Sequence, residues 1–456
     1  MGSNYIEMRL EDCMDAIIDY RGKTPKKVDN GIPLITAKII KNGRIQEVNE
    51  FIAINDYDDW MVRGLPLEGD VVLTTEAPLG EVAQLDARKV ALAQRVITLR
   101  GKKGILENDY LLYLLQSSFV QNQLDGRASG STVTGIKQSE LREIILRLPP
   151  VSLQKSISHQ LKCLDKKIDL NNKINKTLEQ MSQTLFKSWF VDFDPVVDNA
   201  LDAGNPIPEA LQSRAELRQK VRNSTDFKPL PAEIRSLFPS EFEETELGWV
   251  PKGWTLKSVA KSININPSLK LPKNKIAKYV DMKSLPTQGY SISDIIEKPY
   301  SGGAKFQNND TLFARITPCL ENGKTGFVDF LDEKETAFGS TEFIVMRGTP
   351  QVHYLYVACL ARESNFRLHA IQNMVGSSGR QRVQNSCFDS FYIAIPTPAV
   401  MSLFSGKVSS YFDKMYFCNL ENKSLTTLRD TLLPKLISGE LSLEDLPDLS
   451  TNTEAA

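Results

Sequence analysis

The stretch Val151–Phe190, VSLQKSISHQLKCLDKKIDLNNKINKTLEQMSQTLFKSWF, contains neither glycine nor proline and separates two less regular halves of the chain. Its apolar residues recur at steps of three and four, which is typical of one face of an α-helix. They are Ile157, Leu161, Leu164, Ile168, Ile174, Leu178, Met181 and Leu185. Asn171 and Asn175 continue the stripe as polar residues, which set the register of paired helices. A helix of about 36 residues spans roughly 50 Å, so we expect a spacer that needs a partner.

The C-terminal part of the chain carries a second stripe, which makes it the expected partner. This stripe consists of Val408, Tyr411, Met415, Leu425, Leu432 and Leu436. Short segments also recur at one constant offset of 247 residues: Leu99–Gly101 with Met346–Gly348, Ile145–Pro149 with Tyr392–Pro396, and Asn175–Leu178 with Asn422–Leu425. We therefore predict a duplication, in which a globular segment followed by a long helix occurs twice. The residues predicted to pair the helices are Leu161, Leu164, Ile168, Asn175, Leu178, Leu185, Tyr411, Met415, Asn422, Leu425 and Leu432.

Both halves have the pattern of α+β segments with many short strands, and not of alternating β-α-β units. Strands are predicted at 32–37, 71–75, 96–99, 144–148, 311–314 and 341–346, and single helices at 109–124 and 352–370. The predicted domains are globular segments at 1–150 and 251–396, long helices at 151–190 and 397–441, a connector at 191–250 and a tail at 442–456. The two long helices are expected to pair with each other as a coiled coil.

Composition is that of an ordinary globular protein: 456 residues, 41% hydrophobic and 24% charged. No apolar run approaches the ~20 residues of a membrane span, and no signal peptide opens the chain, so we expect a cytoplasmic protein with no membrane partner. The six cysteines are far apart and form no CxxC pair, which indicates neither a zinc site nor a disulfide framework. Only three histidines occur, which argues against a hydrolytic or metal-based active site.

The net charge of −1 does not by itself indicate a nucleic-acid binder, but charge is unevenly distributed. The segment 251–396 is basic, with Lys270, Lys273, Lys275, Lys278 and Lys283 close together, whereas the connector 192–246 is acidic. This asymmetry fits one face on a polyanion and another on a protein. It fits equally well a solvated surface of mixed sign.

Motifs for nucleotide or methyl-donor binding fail on inspection. GSTVTGIK at 130–137 resembles a phosphate-binding P-loop, but Ile136 separates Gly135 from Lys137 where the pattern requires Gly-Lys-Ser/Thr. No adenine-methyltransferase motif or glycine-rich cofactor fingerprint occurs, and no nuclease cluster is convincing. We expect no cofactor and no metal on this chain, and no catalytic residue.

Polar, glycine-punctuated loops remain at matching places in the two halves: GRASGSTVTG at 126–135 and GSSGRQRVQ at 376–384. Arginine and lysine serve phosphates and guanine, glutamine serves adenine, and small residues let the backbone approach DNA. For any single residue a solvated loop is the simpler interpretation; for the pair of loops we favour DNA contact. The candidate DNA-binding residues are Lys23, Thr24, Lys26, Lys38, Arg127, Ser131, Thr132, Lys137, Lys273, Lys275, Arg315, Ser377, Arg380, Gln381 and Arg382.

The chain resembles the specificity subunit of type I restriction-modification systems over nearly its whole length. The segments that carry the resemblance are DYRGKTP at 19–25, GIPLITAK at 31–38, LDKKIDLNNKINKTLEQMSQTLFKSWFVDFDP at 164–195, ELGWVPKGW at 246–254 and LLPKLISGEL at 432–441. The resemblance implies two target-recognition domains joined by two long helices that pair as an antiparallel coiled coil. Each domain would read one half of a split sequence in double-stranded DNA.

The resemblance also implies partners. A non-catalytic specificity subunit holds two modification subunits, which methylate adenine N6 with S-adenosylmethionine, and restriction subunits, which translocate and cut DNA; S-adenosylmethionine, ATP and Mg would belong to those partners. Two alternatives stay open at this point. One is a scaffold whose globular domains bind protein, and the other is a nuclease with a carboxylate site that the sequence does not reveal.

Overall fold

The structure, a computed structural model, describes residues 5–20, 24–130, 133–377 and 379–441. The described residues form two compact units, one up to Asp169 together with those from Asn422 onward, and one from Leu170 to Glu421. Each unit therefore holds a globular part and a section of each long helix.

The first unit contains two four-stranded sheets, with strand orders β2-β11-β8-β9 and β10-β4-β7-β3, and two short two-stranded pairs, β1-β12 and β5-β6. Its strands are β1 Ile6–Arg9, β2 Met14–Asp19, β3 Lys27–Val28, β4 Ile32–Ile35, β5 Ile40–Lys41, β6 Arg44–Ile45, β7 Phe51–Ile52, β8 Val71–Thr75, β9 Leu79–Gln84, β10 Ala91–Leu92, β11 Val96–Gly101 and β12 Ile145–Leu148. Its helices are α1 Leu10–Cys13, α2 Tyr57–Trp60, α3 Asn108–Gln116, α4 Ser118–Arg127 and α5 Gln138–Arg142, and the long helix α6 Val151–Phe186 starts in this unit.

The second unit repeats this plan with four-stranded sheets β16-β23-β20-β21 and β18-β17-β22-β19 and pairs β15-β26, β24-β25 and β13-β14. Its strands are β13 Phe242–Thr245, β14 Gly248–Pro251, β15 Thr255–Ser258, β16 Asn264–Ile265, β17 Ile276–Val280, β18 Ile296–Pro299, β19 Ala304–Phe306, β20 Thr311–Ala314, β21 Thr325–Phe327, β22 Ala337–Gly339, β23 Phe343–Arg347, β24 Met374–Val375, β25 Arg382–Val383 and β26 Tyr392–Ile395. Its helices are α7 Asp194–Ala203, α8 Gln212–Arg222, α9 Ala232–Arg235, α10 Val259–Ser262, α11 Tyr354–Arg362, α12 Ser364–Gln372 and the long α13 Pro398–Ser438.

The order of elements confirms the predicted tandem repeat. β2-β11-β8-β9 and β16-β23-β20-β21 have the same topology, and each is followed by two short helices, an edge strand and a long helix. In the matching pairs β1-β12 and β15-β26, a strand from the start of the segment runs antiparallel to the strand that precedes the long helix. Each globular part is therefore tied together just where its long helix begins.

The single helices predicted at 109–124 and 352–370 are wrong, because each is interrupted near its middle. Ser117 separates α3 from α4, and Glu363 separates α11 from α12; both have extended backbone. The Ser117 hydroxyl accepts a hydrogen bond from Val120 N, and the Glu363 carboxylate accepts one from Phe366 N at 2.7 Å. Each residue therefore caps the N-terminus of a new helix. The apolar periodicity continues across both positions and gave no indication of these caps.

The two long helices pair within each unit. In the first unit, Leu161, Leu164, Leu432 and Leu436 belong to one buried cluster, and Leu425 packs against it. The Asp165 carboxylate accepts hydrogen bonds there from Arg429 at 2.9 Å and from the Tyr113 hydroxyl at 2.7 Å. Ile168 is buried on the same face of α6.

In the second unit, the Asn171 amide donates to Glu421 and the Asn175 amide donates to Asn419, at 2.7 and 2.8 Å. The partner's number falls as the first number rises, so the helices run antiparallel, as predicted. Leu178 and Leu185 pack against the core cluster that contains Met415.

Two positions of the stripes differ from the expectation. Met181 is 43% exposed, and the neighbouring Ser182 is buried instead, with its hydroxyl donating to Leu178 O at 2.8 Å. Tyr411 is half-buried, whereas Phe412 is buried against Tyr290 and Phe327. Because one residue turns a helix by about 100°, a stripe read from sequence alone can miss the true face by one position.

The region between α6 and β13 folds onto the second unit. Trp189 and Phe190, in the π-helical turn that ends the long helix, contact the aromatic side chains of Phe404 and Trp254. Helices α7 and α8 are held together by a ladder of ion pairs at steps of four residues: Asp194–Arg214, Asp198–Arg218 and Asp202–Arg222. The charges of these three aspartates are therefore neutralised within the region.

Asp329 gives the second unit a predicted pH dependence. It lines a cavity of about 220 Å³ with Tyr290, Phe327 and Phe412, and burial raises the pKa of its carboxyl to about 6. This pKa lies above the ~3.9 of an unfolded aspartate, so the folded state holds the proton more tightly. The contribution of Asp329 to the free energy of unfolding therefore falls as the pH rises from about 4 to about 6, and it is constant above that.

We expect Asp329→Asn to remove this pH dependence. The free energy of unfolding of the variant, relative to the wild type, should rise by about 2 kcal/mol between pH 4 and pH 7.5. Urea denaturation at both pH values measures this change. Asp332→Asn is the matched control, because the Asp332 side chain is 94% exposed. A difference between wild type and Asp329→Asn that does not change with pH would contradict the assignment.

Candidate nucleic-acid interface

A short hairpin projects from the second unit between α12 and the last strand. Its arms are β24 and β25, with Val375 opposite Arg382. Gly376 begins the turn at φ +135°, and a side chain there would meet Arg380 O at 2.9 Å. The hairpin therefore depends on a glycine at this position, and its described turn residues Ser377, Gly379 and Arg380 are exposed.

The second arm of the hairpin is also held on its other side. Arg382 forms an antiparallel bridge with Ile316, and Val383 N donates to Arg315 O at 2.8 Å. Thr317 N donates to Gln381 O, and Gln381 N donates to the Thr317 hydroxyl, both at 3.1 Å. The backbone that carries Gln381 and Arg382 is thus fixed by hydrogen bonds from two directions.

The first unit has the same arrangement. Ser129 and Gly135 exchange backbone hydrogen bonds at 2.9 and 3.0 Å, and Gly135 bridges to Glu76. Ile136 N donates to Thr75 O at 3.0 Å, which matches the bond between Val383 and Arg315. The described residues at the bases of the two predicted loops are therefore held by equivalent hydrogen bonds to equivalent neighbouring segments.

In both units the residue directly before the central strand forms an ion pair, but its charge and the position of its partner differ. In the second unit, Arg382 on the hairpin pairs with Glu342, which directly precedes β23. In the first unit, Arg95 directly precedes β11, in the position of Glu342, and pairs at 2.8 Å with Glu76. Gly135 takes the position of Arg382, and a Cβ there would lie only 3.0 Å from the Cβ of Glu76.

A lysine on a turn after a buried strand is a second feature common to both units. Lys38 lies in the 3₁₀ turn Ala37–Ile39 after β4, and Lys283 lies in the 3₁₀ turn Met282–Ser284 after β17. Both side chains are exposed. Lys38 was among the predicted site residues, and the repeat makes Lys283 its counterpart.

The structure places the predicted residues unevenly. Thr24, Lys26, Lys38, Lys137, Lys273, Lys275, Ser377 and Arg380 are exposed, and Arg127, Arg315, Gln381 and Arg382 are half-buried. Lys23, Ser131 and Thr132 lie outside the described residues. The hairpin brings Arg315, Gln381 and Arg382 together, and Lys137 lines a groove with Glu76 and Gly135. No described contact joins Lys273 or Lys275 to the hairpin.

Two predicted residues have structural partners within the protein. Arg127 forms an ion pair of 3.3 Å with Glu140, so the charge of Arg127 already has a partner within the first unit. Arg315 donates from Nη2 to Val383 O at 2.8 Å, and its Nε is buried without a hydrogen-bond partner among the described residues. Its geometry fits support of the hairpin better than direct contact with a ligand.

Sequence reasoning missed Glu342, Arg95 and Glu76. Glu342 is 40 residues away from Arg382, so no local pattern connects them. The offset of 247 residues does place Arg95 opposite Glu342, and aligning the repeats at this point would have revealed charged residues before equivalent strands.

Within the described residues no group of three or more histidine, cysteine, aspartate or glutamate side chains could hold a metal ion. No helix in the same ranges has the length and apolar character needed to cross a bilayer.

Comparison with known proteins agrees with this architecture. The family model for the type I restriction modification DNA specificity domain matches residues 3–180. The type I restriction enzyme HindI specificity subunit of Haemophilus influenzae is 25% identical over 380 residues, which cover 78% of this chain and 82% of the relative. The MjaIX specificity subunit of Methanocaldococcus jannaschii is 25% identical over 391 residues, covering 83% and 79%.

The chain is similar to type I restriction enzyme specificity subunits over about four-fifths of its length. The crystal structure of a type I system S subunit from M. genitalium has the same fold, with a TM-score of 0.50 and 15% identity over 95% of this chain and 96% of that one. The family model ends at residue 180, but the second unit of this chain repeats the sheet topology of the first. The resemblance inferred from the sequence is confirmed.

Proposed function

We propose that this specificity subunit reads a split target in double-stranded DNA, with one half-site for each unit. The observation that carries the proposal is the pair of loops that equivalent hydrogen bonds hold at their bases and that differ in their side chains. Side chains recognise a base by contacting its edge in a DNA groove. Two units with the same scaffold and different loops would therefore recognise two different sequences.

The lysines on the 3₁₀ turns and the exposed Arg380 would supply phosphate contacts. Such contacts position a protein on DNA without specifying sequence, and they make binding depend on salt. The net charge of −1 means that this chain alone provides little general attraction for DNA. We infer that tight binding requires the partner subunits.

The chain would itself catalyse nothing. It would hold two modification subunits, which methylate adenine N6, and two restriction subunits. An internal repeat gives one chain two similar surfaces, so it can seat two copies of the same partner. S-adenosylmethionine, ATP and Mg would be bound by those partners.

Methyl transfer from labelled S-adenosylmethionine tests this division of roles. Unmethylated genomic DNA is incubated with this chain, with the modification subunit of the same system, or with both together. We expect transfer only when both proteins are present. Transfer by this chain alone would contradict its non-catalytic role, and the same set of methylated sites without this chain would contradict its role in specificity.

A further inference from the structure

The guanidinium of Arg382 is clamped along one of its two edges. Its Nε donates to both carboxylate oxygens of Glu342 at 2.9 Å, and its Nη2 donates to Oε1 at 2.7 Å. The side chains of Arg382 and Glu342 are 41% and 23% exposed, so the clamp lies at the surface of the second unit.

A clamp of this kind leaves the other edge of the guanidinium available. Arginine has five N–H donors in a planar fork, and Glu342 engages the Nε edge. The outer edge, formed by Nη1 and the second hydrogen of Nη2, has no acceptor among the described residues. Two parallel donors on this edge match the O6 and N7 acceptors of guanine in the major groove.

The position of the fork is fixed by the backbone as well as by the side chain. Arg382 lies between β24 and the bridge to Ile316, so both neighbours in the sheet hold its main chain. The Glu342 main chain is tied in as well, because Arg315 N donates to Glu342 O at 3.0 Å. Because the Arg382 side chain is held rigidly before binding, it loses little conformational entropy when it binds a base.

The first unit lacks this device. Its hairpin carries Gly135 in the position of Arg382, and its arginine, Arg95, directly precedes β11 and pairs with Glu76 on the neighbouring loop. The guanidinium is therefore presented from a different element in each unit. The two units would thus place an arginine guanidinium at different positions relative to their DNA half-sites.

We propose that Arg382 reads a guanine in the half-site of the second unit and that Glu342 is its positioning residue. This inference rests on the proposed function, because it assigns one base contact to a site proposed there. If the ion pair only closed the hairpin, its loss would change stability but not the DNA sequence that is recognised.

The first test maps N6-methyladenine in cells that express the modification subunit with either the wild type or Arg382→Lys. Lysine keeps the positive charge and loses the fork, so phosphate attraction should persist while base discrimination is lost. We expect one guanine of one half-site to become degenerate, with the other half-site unchanged. Arg222→Lys is the matched control, since Arg222 also pairs with a carboxylate, that of Asp202, but lies on α8.

The second test measures binding of the assembled complex to DNA duplexes in which single guanines of that half-site are replaced by 7-deazaguanine or by adenine. At one position the wild type should prefer guanine by about 5- to 150-fold, the value of one bidentate contact. Arg382→Lys and Glu342→Gln should both reduce this preference. The double variant should be no worse than Arg382→Lys, because Glu342 acts through Arg382.

The outcomes separate this inference from the proposed function. A wild-type complex that methylates a split motif, together with unchanged base preference in well-folded Arg382→Lys and Glu342→Gln, would overturn the inference and leave the function standing. A wild-type complex with no split motif would overturn both. Thermal melting of each variant shows that it is folded, and the 7-deazaguanine duplexes probe the contact in the wild type even where a variant fails to fold.

Discussion

Inserting four residues after Asn172 and four after Asn422 should lengthen the unspecified gap of the DNA target by about two base pairs and leave both half-sequences unchanged. Helix α6 passes from the first unit into the second at Asp169–Leu170, and α13 returns to the first unit at Glu421–Asn422. Four residues add one helical turn, or ~6 Å, and keep the paired stripes nearly in register. One base pair corresponds to about 3.4 Å along DNA.

The effect on function should be large, because methylation at the original sites should cease and appear at sites with the longer gap. Mapping N6-methyladenine in cells that contain the modification subunit measures the change. Insertion of two residues in each helix is the control, since it rotates the stripes by about 200° and should abolish assembly. Altered half-sequences with an unchanged gap would contradict the division into reading units and spacer helices.

Asp310→Ala should lower the free energy of unfolding of the second unit by about 3–5 kcal/mol. Asp310 is fully buried, and its two carboxylate oxygens each accept a bond of 2.7 Å from Arg347. Removing the carboxylate leaves the Arg347 guanidinium in a largely buried place without its counter-charge. Burial raises the pKa of Asp310, whereas the pairing with Arg347 and a hydrogen bond of 2.8 Å from Gln307 N favour its ionised form.

Hydrogen exchange of peptides that contain β23 measures this loss directly in the second unit. The matched control is Asp332→Ala, because Asp332 is exposed and lies 4.0 Å from Lys278; the expected change is below about 0.5 kcal/mol. Protection of β23 in Asp310→Ala equal to that of the control would show that the buried pair does not stabilise the sheet.

The first unit contains the same buried pair, which explains why the repeat was only partly visible in the sequence. Asp70 pairs with Arg100 at 2.8 Å, as Asp310 does with Arg347. The arginines are 247 residues apart, but the aspartates are 240 apart, because the connections between the strands differ in length. The constant offset of 247 residues therefore identified β11 and β23, and also β12 and β26, as equivalent strands. It did not reveal that β8 and β20 are equivalent.

The stripes of the long helices were predictable because one local rule, a spacing of three and four residues, decides which side is buried. The interruptions at Ser117 and Glu363 were not, since apolar residues continue through both and only the cap geometry separates the helices. The candidate site shows the same limit. Gly376 and Arg382 stood out as loop chemistry, whereas Glu342 acts on Arg382 only through the fold.

The central claim is that two units of this chain read two halves of one DNA target. The most direct measurement is co-expression with the modification subunit of the same system, followed by genome-wide mapping of N6-methyladenine. The account predicts one split motif, two short halves with a fixed unspecified gap. A continuous motif, or no methylation by a well-assembled complex, would contradict it.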